Sequence, residues 1–245
     1  FDKIWIQPAA GDAGGSIGAA LGFYYLEQKN KRFVNKEDSM KGALLGPSFS
    51  NKEIKKTLDN ERAIYKYFPE NELIKKTVNE LIDGKTVGWF QGRMEFGPRS
   101  LGNRSILADP QNPSIQKNLN LKIKFRESFR PFAPSILFEE LSKWFKLKVK
   151  SPYMLFVADV NSNKIIPISK KDNSLFGIEK LNVKRSLIPA VTHVDNSARV
   201  QTVHKNTNKL YHNLINYFFK KTNCPLLVNT SFNVRGEPIV CSPQD

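Results

Sequence analysis

The sequence predicts a mixed α/β protein. Short apolar runs of strand character alternate with segments whose apolar residues recur at helical spacing, and small-residue loops follow several of the strands. Hydrophobic residues make up 40% of the 245, enough for a proper core. In α/β sheets the loops at strand ends are where ligands gather.

Along the chain, Ile4, Trp5 and Ile6 read as a short buried strand entering the turn AAGDAGG, followed by a helix from Ser16 to about Gln28. Asn30 to Met40 is polar and unpatterned, an exposed connection that places a boundary near residue 45. Ser50 and Glu53 have the spacing of a capping box at a helix start. Asn71 to Asp83 carries Leu73, Val78 and Leu81 on a helix that Gly84 stops, and Thr86 to Gln91 reads as a strand. Asn112 and Pro113 open a helix toward Leu121, and Phe132 to Leu137 resembles a strand interrupted by Pro134. A short helix over Phe138 to Phe145, a strand over Tyr153 to Val160 and a lysine-rich exposed excursion over Asn161 to Asn182 follow. Val200 to Val203 is a strand, Thr207 to Lys221 a helix with Leu210, Leu214, Tyr217 and Phe218 at helical spacing, and Pro225 to Asn229 a buried strand.

The net charge of +15 favours acidic partners such as nucleotides or nucleic acid, a statement about association rather than chemistry. Cys224 and Cys241 lack CxxC spacing and do not make a disulfide framework; each reads as a small buried or strand residue. No stretch is long and apolar enough to span a bilayer, and the first residues lack a basic n-region, so the expected location is the cytoplasm with no membrane partner. Starting at Phe1 and ending within a turn at Asp245, the chain reads as an excerpt of a longer protein.

Arginine is concentrated where lysine is scattered. Arg93, Arg99, Arg104, Arg126 and Arg130 lie among glycines, prolines and hydroxyls in GWFQGRMEFGPRSLGNRSILADP (88–110) and KFRESFRPFAPS (124–135). A guanidinium is permanently charged and forked, and glycines let backbone N–H groups approach the same oxygens, which predicts a phosphate or carboxylate site. Glu95 is close enough in sequence to pair with Arg93 or Arg99 and hold it. If 124–126 is extended, Lys124 and Arg126 share a face; if helical, Arg126 and Arg130 do, and either pair of like charges calls for an anion between them.

After the last strand, Asn229, Thr230, Ser231 and Asn233 present short polar groups suited to hydrogen bonding, with Gly236 permitting a turn. Ser231 has no His and Asp partners in a catalytic order. His193 and Asp195, with Ser197, Arg199 and Gln201, form a further polar cluster that is either acid–base machinery or a structural histidine. Asp12, between flexible glycines, suits a metal, a helix cap or a turn.

The blocks GWFQGRMEFGPRSLGNRSILADP, LNLKIKFRESFRPFAPSIL, SPYMLF, PAVTHVDNSARVQTV and PLLVNTSFNVRGEPIV resemble the carboxy-terminal part of the O-carbamoyltransferases of the nodulation and antibiotic-tailoring type. Ser100 stands where alanine is expected, and Asn196 and Ser197 where glycine and threonine are common. The resemblance implies a YrdC-like twisted-sheet domain over residues 46–245, its K-x-R element matched by Lys124 and Arg126 and its S-x-N element by Ser231 and Asn233. It implies that residues 1–45, with IWIQPAAGDAGGSIGAALGFYY, are the end of a TsaD-like transfer domain of actin and hexokinase type. There Asp12 matches a ligand of iron or another divalent metal, the histidine ligands falling before Phe1.

The implied activity is formation of carbamoyl-adenylate from carbamoyl phosphate and ATP with Mg2+, for transfer to an acceptor hydroxyl of a small molecule in the missing domain. Lys124, Arg126 and Arg130 would neutralise the reacting anions, Ser231 and Asn233 would orient the carbamoyl group or adenylate, and Arg93, Arg99, Ser151 and Thr230 would contact the nucleotide. The alternatives are a basic RNA-binding module, for which Phe125, Phe129 and Phe132 interleave with the cations, and a threonylcarbamoyl-adenylate synthase of tRNA modification. Pro131, Pro134 and the apolar run after them suggest rings facing a core, so nucleic acid is not the expected partner.

Overall fold

A computed structural model describes residues 6–34, 38–169, 172, 174–181 and 183–245. Ile4 and Trp5 of the expected first strand lie outside the described residues, and Ile6 is irregular and exposed. The glycine turn leads into α1 (Asp12–Gly22), which runs on as a wider π-helical turn through Glu27, so the helix begins four residues before the expected Ser16. Around residue 45 the backbone is stitched to the arginine-rich segment: Gly46 N–H donates to Met94 O, Met94 N–H to Pro47 O and Phe96 N–H to Ala43 O.

Helix α2 (Asn51–Asn60) starts at the expected capping box. Ser50 Oγ accepts from the Glu53 N–H and the Glu53 carboxylate accepts from the Ser50 N–H, satisfying donors that the first turn leaves free. Helix α3 (Glu70–Ile82) buries Ile74, Val78 and Leu81, and Gly84 takes the left-handed φ of +79° that releases the chain into β1 (Val87–Phe90).

Next comes a strand that the sequence reading missed, β2 (Arg104–Ala108), all of it buried. Arginine and serine at its start hide it from a hydrophobic pattern. The chain then forms α4 (Ile115–Lys122), β3 (Ala133–Leu137), the short α5 (Leu141–Trp144) and β4 (Phe156–Asp159). Pro134 does not interrupt β3: pairing with its parallel neighbour begins only at Ser135. The expected excursion holds a short α6 (Gly177–Leu181), and β5 (Ser197–Val203), α7 (Lys209–Thr222) and β6 (Leu226–Ser231) complete the fold.

Among the described residues six strands form one sheet in the order β1-β2-β6-β3-β5-β4. Only β3 and β5 are parallel; the other neighbouring pairs are antiparallel, so the sheet is mixed rather than wound from parallel units. Tyr211, Leu214, Ile215 and Phe218 of α7 join α3 and the sheet in one buried cluster with Leu107, Leu137 and Leu227. At Gly102, with φ of +113°, an added Cβ would meet the Tyr211 ring at 2.2 Å, so the turn before β2 closes over α7 only with glycine. Cys224 is buried just before β6, but Cys241 is exposed in an irregular segment and outside any strand, correcting that expectation.

Candidate functional site

The site is assembled where the end of α4 meets the end of β6. Past Lys122 the chain turns back on the helix: Lys124 N–H donates to Leu119 O at 2.9 Å and Arg126 N–H to Asn120 O at 3.0 Å. Between them Phe125 adopts a φ of +45°, so 124–126 is neither extended nor helical. This left-handed residue turns its ring out, 56% exposed, while Lys124 is buried and Arg126 half-buried. Lys124 and Arg126 line one cleft by a backbone geometry that is neither of the two expected.

Lys124 Nζ donates into the segment after β6, to Ser231 O, to Ser231 Oγ at 3.1 Å, to Asn233 O at 2.9 Å and to Asn233 Oδ1 at 2.8 Å. Ser231 Oγ in turn donates to Asn233 Oδ1 at 2.6 Å. Burial, helped by the Arg126 charge, pulls the Lys124 ammonium down from 10.5 to about 8. Desolvation comes first because the ammonium is buried and meets neutral acceptors, which favour its charged form but bring no counter-charge.

Arg126 is held from below. Its Nε donates to Asn120 Oδ1 at 2.6 Å and its guanidinium carbon lies 4.9 Å from the centre of the buried Phe132 ring. Asn120, wholly buried on α4, donates its own amide to Ser128 O and Arg130 O, so one side chain shapes the turn carrying both arginines. Sequence reasoning did not pick out Asn120; only its position one helical turn before Lys124 hinted at it. Lys124, Arg126, Arg130, Thr230, Ser231 and Asn233 line one cleft of about 280 Å3. The cleft also takes in Glu127 and Arg235, neither singled out from the sequence.

Arg93 and Arg99 do not line that cleft. Arg93 is exposed and donates from Nη2 to Leu45 O at 3.0 Å. Arg99 is exposed beside Arg199, whose guanidinium is shifted down by burial and then by the Arg99 charge. Arg104 is fully buried, its guanidinium carbon 3.6 Å from the Phe90 ring centre and its Nη1 donating to Gln91 O, Gly92 O and Asn103 O. It is a structural cation, not part of an open anion site. Glu95 pairs with neither Arg93 nor Arg99 among the described residues; its Oε1 accepts from the N–H groups of Leu101 at 2.6 Å and Asn103 at 2.8 Å. A buried carboxylate so placed shapes the turn into β2.

Ser151 is buried, its N–H donating to Thr202 Oγ1 and its hydroxyl to Val200 O, and it lines a different recess together with Tyr153 and Lys150. Asp195 accepts from the N–H and hydroxyl of Ser197, a local turn, while burial first and then the Arg199 charge push His193 down against the Asp195 pull. Asp195 is thus engaged by Ser197 rather than by the His193 ring among the described residues. Gln201 is buried, donating to Leu101 O and accepting from Ser135 and Asn229. Asp12 is the exposed first residue of α1, one position past the N-cap Gly11. Among the described residues no three His, Cys, Asp or Glu side chains come together to hold a metal, so these residues do not by themselves fit an iron site.

Fold and cleft together define a mixed α/β domain with a cationic pocket suited to a phosphate or carboxylate. The chain belongs to the carbamoyltransferase C-terminal family: the family model described as Carbamoyltransferase C-terminus matches residues 78–245. It is 56% identical over its whole length to an uncharacterized protein of Synechocystis, of which it covers 40%. It is 38% identical, again over its whole length, to nodulation protein NolNO of Sinorhizobium fredii, covering 33% of that protein. Over 65% of its length it is 39% identical to the 3'-hydroxymethylcephem-O-carbamoyltransferase of Amycolatopsis lactamdurans, covering 26% of that enzyme. The chain thus spans two fifths or less of these relatives. No helix among the described residues is long and apolar enough to cross a membrane.

Proposed function

We propose that this chain is the carbamoyl-adenylate-forming part of an O-carbamoyltransferase, with residues 46–245 as a YrdC-like activation domain and 1–45 as the end of a TsaD-like transfer domain. The observation that carries this reading is the Lys124 ammonium seated between Ser231 and Asn233 at the floor of a cleft walled by Arg126 and Arg130.

Carbamoyl phosphate gives up its phosphate to water, leaving carbamate. One carbamate oxygen then attacks the α-phosphorus of ATP and pyrophosphate leaves. Two anions must be brought together for this, and the cleft supplies what that requires. Lys124, Arg126 and Arg130 neutralise the negative oxygens as charge builds on them, and Ser231 and Asn233 orient the carbamate through hydrogen bonds. Thr230 lies in the same wall, while Arg99 with Arg199, and Arg93, are outlying cations for the phosphate tail, and Ser151 would meet the nucleotide from the separate recess. Among the described residues lining the cleft the one carboxylate, Glu127, is bonded to Arg130, in keeping with Mg2+ arriving on the nucleotide. Asp12 is proposed as one ligand of the divalent metal of the complete transfer site, the acceptor hydroxyl being bound outside this chain.

The test is carbamoyl-phosphate-dependent exchange of labelled pyrophosphate into ATP by this chain, beside Arg126→Ala and Ser231→Ala. Exchange that the two substitutions abolish supports the reading, and none from a folded parent chain overturns it. A second reading as an RNA-binding surface draws on Phe125 and Phe129, which are exposed next to the cations although Phe132 is buried. RNA binding that falls steeply with salt, with no preference for ATP among triphosphates, would favour that reading instead.

A further inference from the structure

We infer that Arg235 is a fourth cationic wall of the anion cleft and that Glu127 is its resident counter-ion, which an incoming phosphate displaces from the arginines. The inference rests on the anion-cleft reading above and adds two residues to it.

Arg235 follows β6 in the loop that carries Asn233 and enters the cleft opposite the turn after α4. Its Nη1 donates to Phe125 O at 3.0 Å, so it joins the loop that offers Ser231 and Asn233 to the turn that offers Lys124 and Arg126. The carbonyl it reaches is that of the residue held at positive φ. Arg235 thereby faces the cleft from the loop side, with a guanidinium fork that this one bond leaves largely free to meet an anion.

Four cations around one small cleft repel one another unless a negative charge lies among them. Glu127 supplies it. Its Oε2 sits 2.8 Å from Arg130 Nε, and both side chains remain more than half exposed. Its own backbone N–H and then Arg130, with Arg235 and Arg126 adding to them, hold its carboxyl below the usual range, so the carboxylate senses every arginine of the cleft. An exposed pair of this kind is weak and exchanges readily, as a group that stands in for substrate must. A phosphate oxygen carries the same charge and geometry to the same guanidinium, and Glu127 can swing into water as it enters.

Binding of inorganic pyrophosphate and of carbamoyl phosphate to the 245-residue chain, followed by calorimetry, tests this. Glu127→Gln is expected to bind pyrophosphate about two- to fivefold more tightly than the parent, the scale of an exposed ion pair. Arg235→Gln is expected to bind it more weakly by a similar factor. Glu237→Gln makes the same change of charge on the adjoining loop; its side chain lies outside the cleft lining and only its backbone carbonyl, which accepts from Asn233 Nδ2 at 2.8 Å, meets a cleft residue, so an equal gain there would reduce the effect to the general field and overturn the displacement. The 13C titration midpoint of the Glu127 carboxyl should rise toward its ordinary value when pyrophosphate is bound; an unmoved midpoint overturns the inference. Binding by the parent with no change in Glu127→Gln sinks the inference alone, whereas no binding by parent or variant overturns the anion-cleft reading and the inference with it.

Discussion

Lys124 Nζ lies 2.8 Å from Asn233 Oδ1 although 109 residues separate them in the chain. The lysine is delivered by the turn after α4, and the asparagine by the loop after the sheet's third strand in spatial order, β6. Burial has already lowered the ammonium to about 8, which makes this contact sensitive to pH.

Anion binding should therefore weaken as pH rises from 7 to 9, because the charged lysine is lost through its midpoint of about 8. Pyrophosphate, by drawing near the ammonium, restores its affinity for the proton, so binding at pH 8.5 takes up protons. Calorimetry in buffers of different ionisation enthalpy reads that uptake as the difference between the parent and Lys124→Arg, in which the protons exchanged by pyrophosphate itself cancel. Lys124→Arg, which does not titrate in this range, should flatten the profile. For stability the sign is the reverse of the usual lysine case. The unfolded chain binds more protons between about 8 and the ordinary 10.5, so this group's contribution rises with pH across that window and its burial cost is fully present below it.

Asn120→Ala should lower pyrophosphate affinity about tenfold although its amide serves Arg126 and the backbone of the arginine turn instead of the ligand. Asn120→Asp keeps the acceptor for Arg126 but loses the donors to Ser128 O and Arg130 O and sets a negative charge against Arg126, so it should bind pyrophosphate no better than Asn120→Ala. Titration beside a denaturation curve separates the loss of binding from loss of fold. An unchanged affinity in folded Asn120→Ala would show that the turn holds itself.

Arg104→Ala should cost about 3 kcal/mol of stability, the range for emptying a buried site and stranding its hydrogen-bond partners. Three carbonyls lose a donor and Phe90 loses the cation stacked on it. Urea unfolding with an unchanged slope would read this as a midpoint shift. Glu95→Gln should cost about 2 kcal/mol in the same assay, since its charge-assisted bonds to the turn weaken together.

Gly102→Ala places a Cβ 2.2 Å from the Tyr211 ring at a φ of +113°, so strain and clash act at once. A loss of about 2 kcal/mol or more is expected. Ser50→Ala, by contrast, removes an exposed capping box and should cost only about 1 kcal/mol, seen first as fraying of α2 in amide hydrogen exchange.

Much of the fold was legible because its signals are local. The Ser50 and Glu53 pair, the spacing of Leu214 and Phe218, and the apolar run at Leu226 to Val228 each act within a turn or a strand, and the structure puts α2, α7 and β6 there. Strand β2 was hidden for a physical reason: it starts with Arg104, and burying an arginine requires Phe90 and three carbonyls that come from elsewhere in the chain. The same blindness made Glu95 look like an arginine's partner, when its actual partners are backbone N–H groups of the turn ahead.

By itself, the sequence determined the family, the mixed α/β class and most element positions, and it put arginine, lysine and short hydroxyls in the segments that meet at the cleft. Tertiary structure alone decided which of them meet. It drew Lys124, Arg126 and Arg130 to Ser231 and Asn233, left Arg93 and Arg99 outside that cleft, turned Arg104 into a core residue and added Glu127 and Arg235. The reason is distance along the chain: caps and periodicity act over a few residues, whereas these contacts depend on strand pairing and on the turn at Phe125.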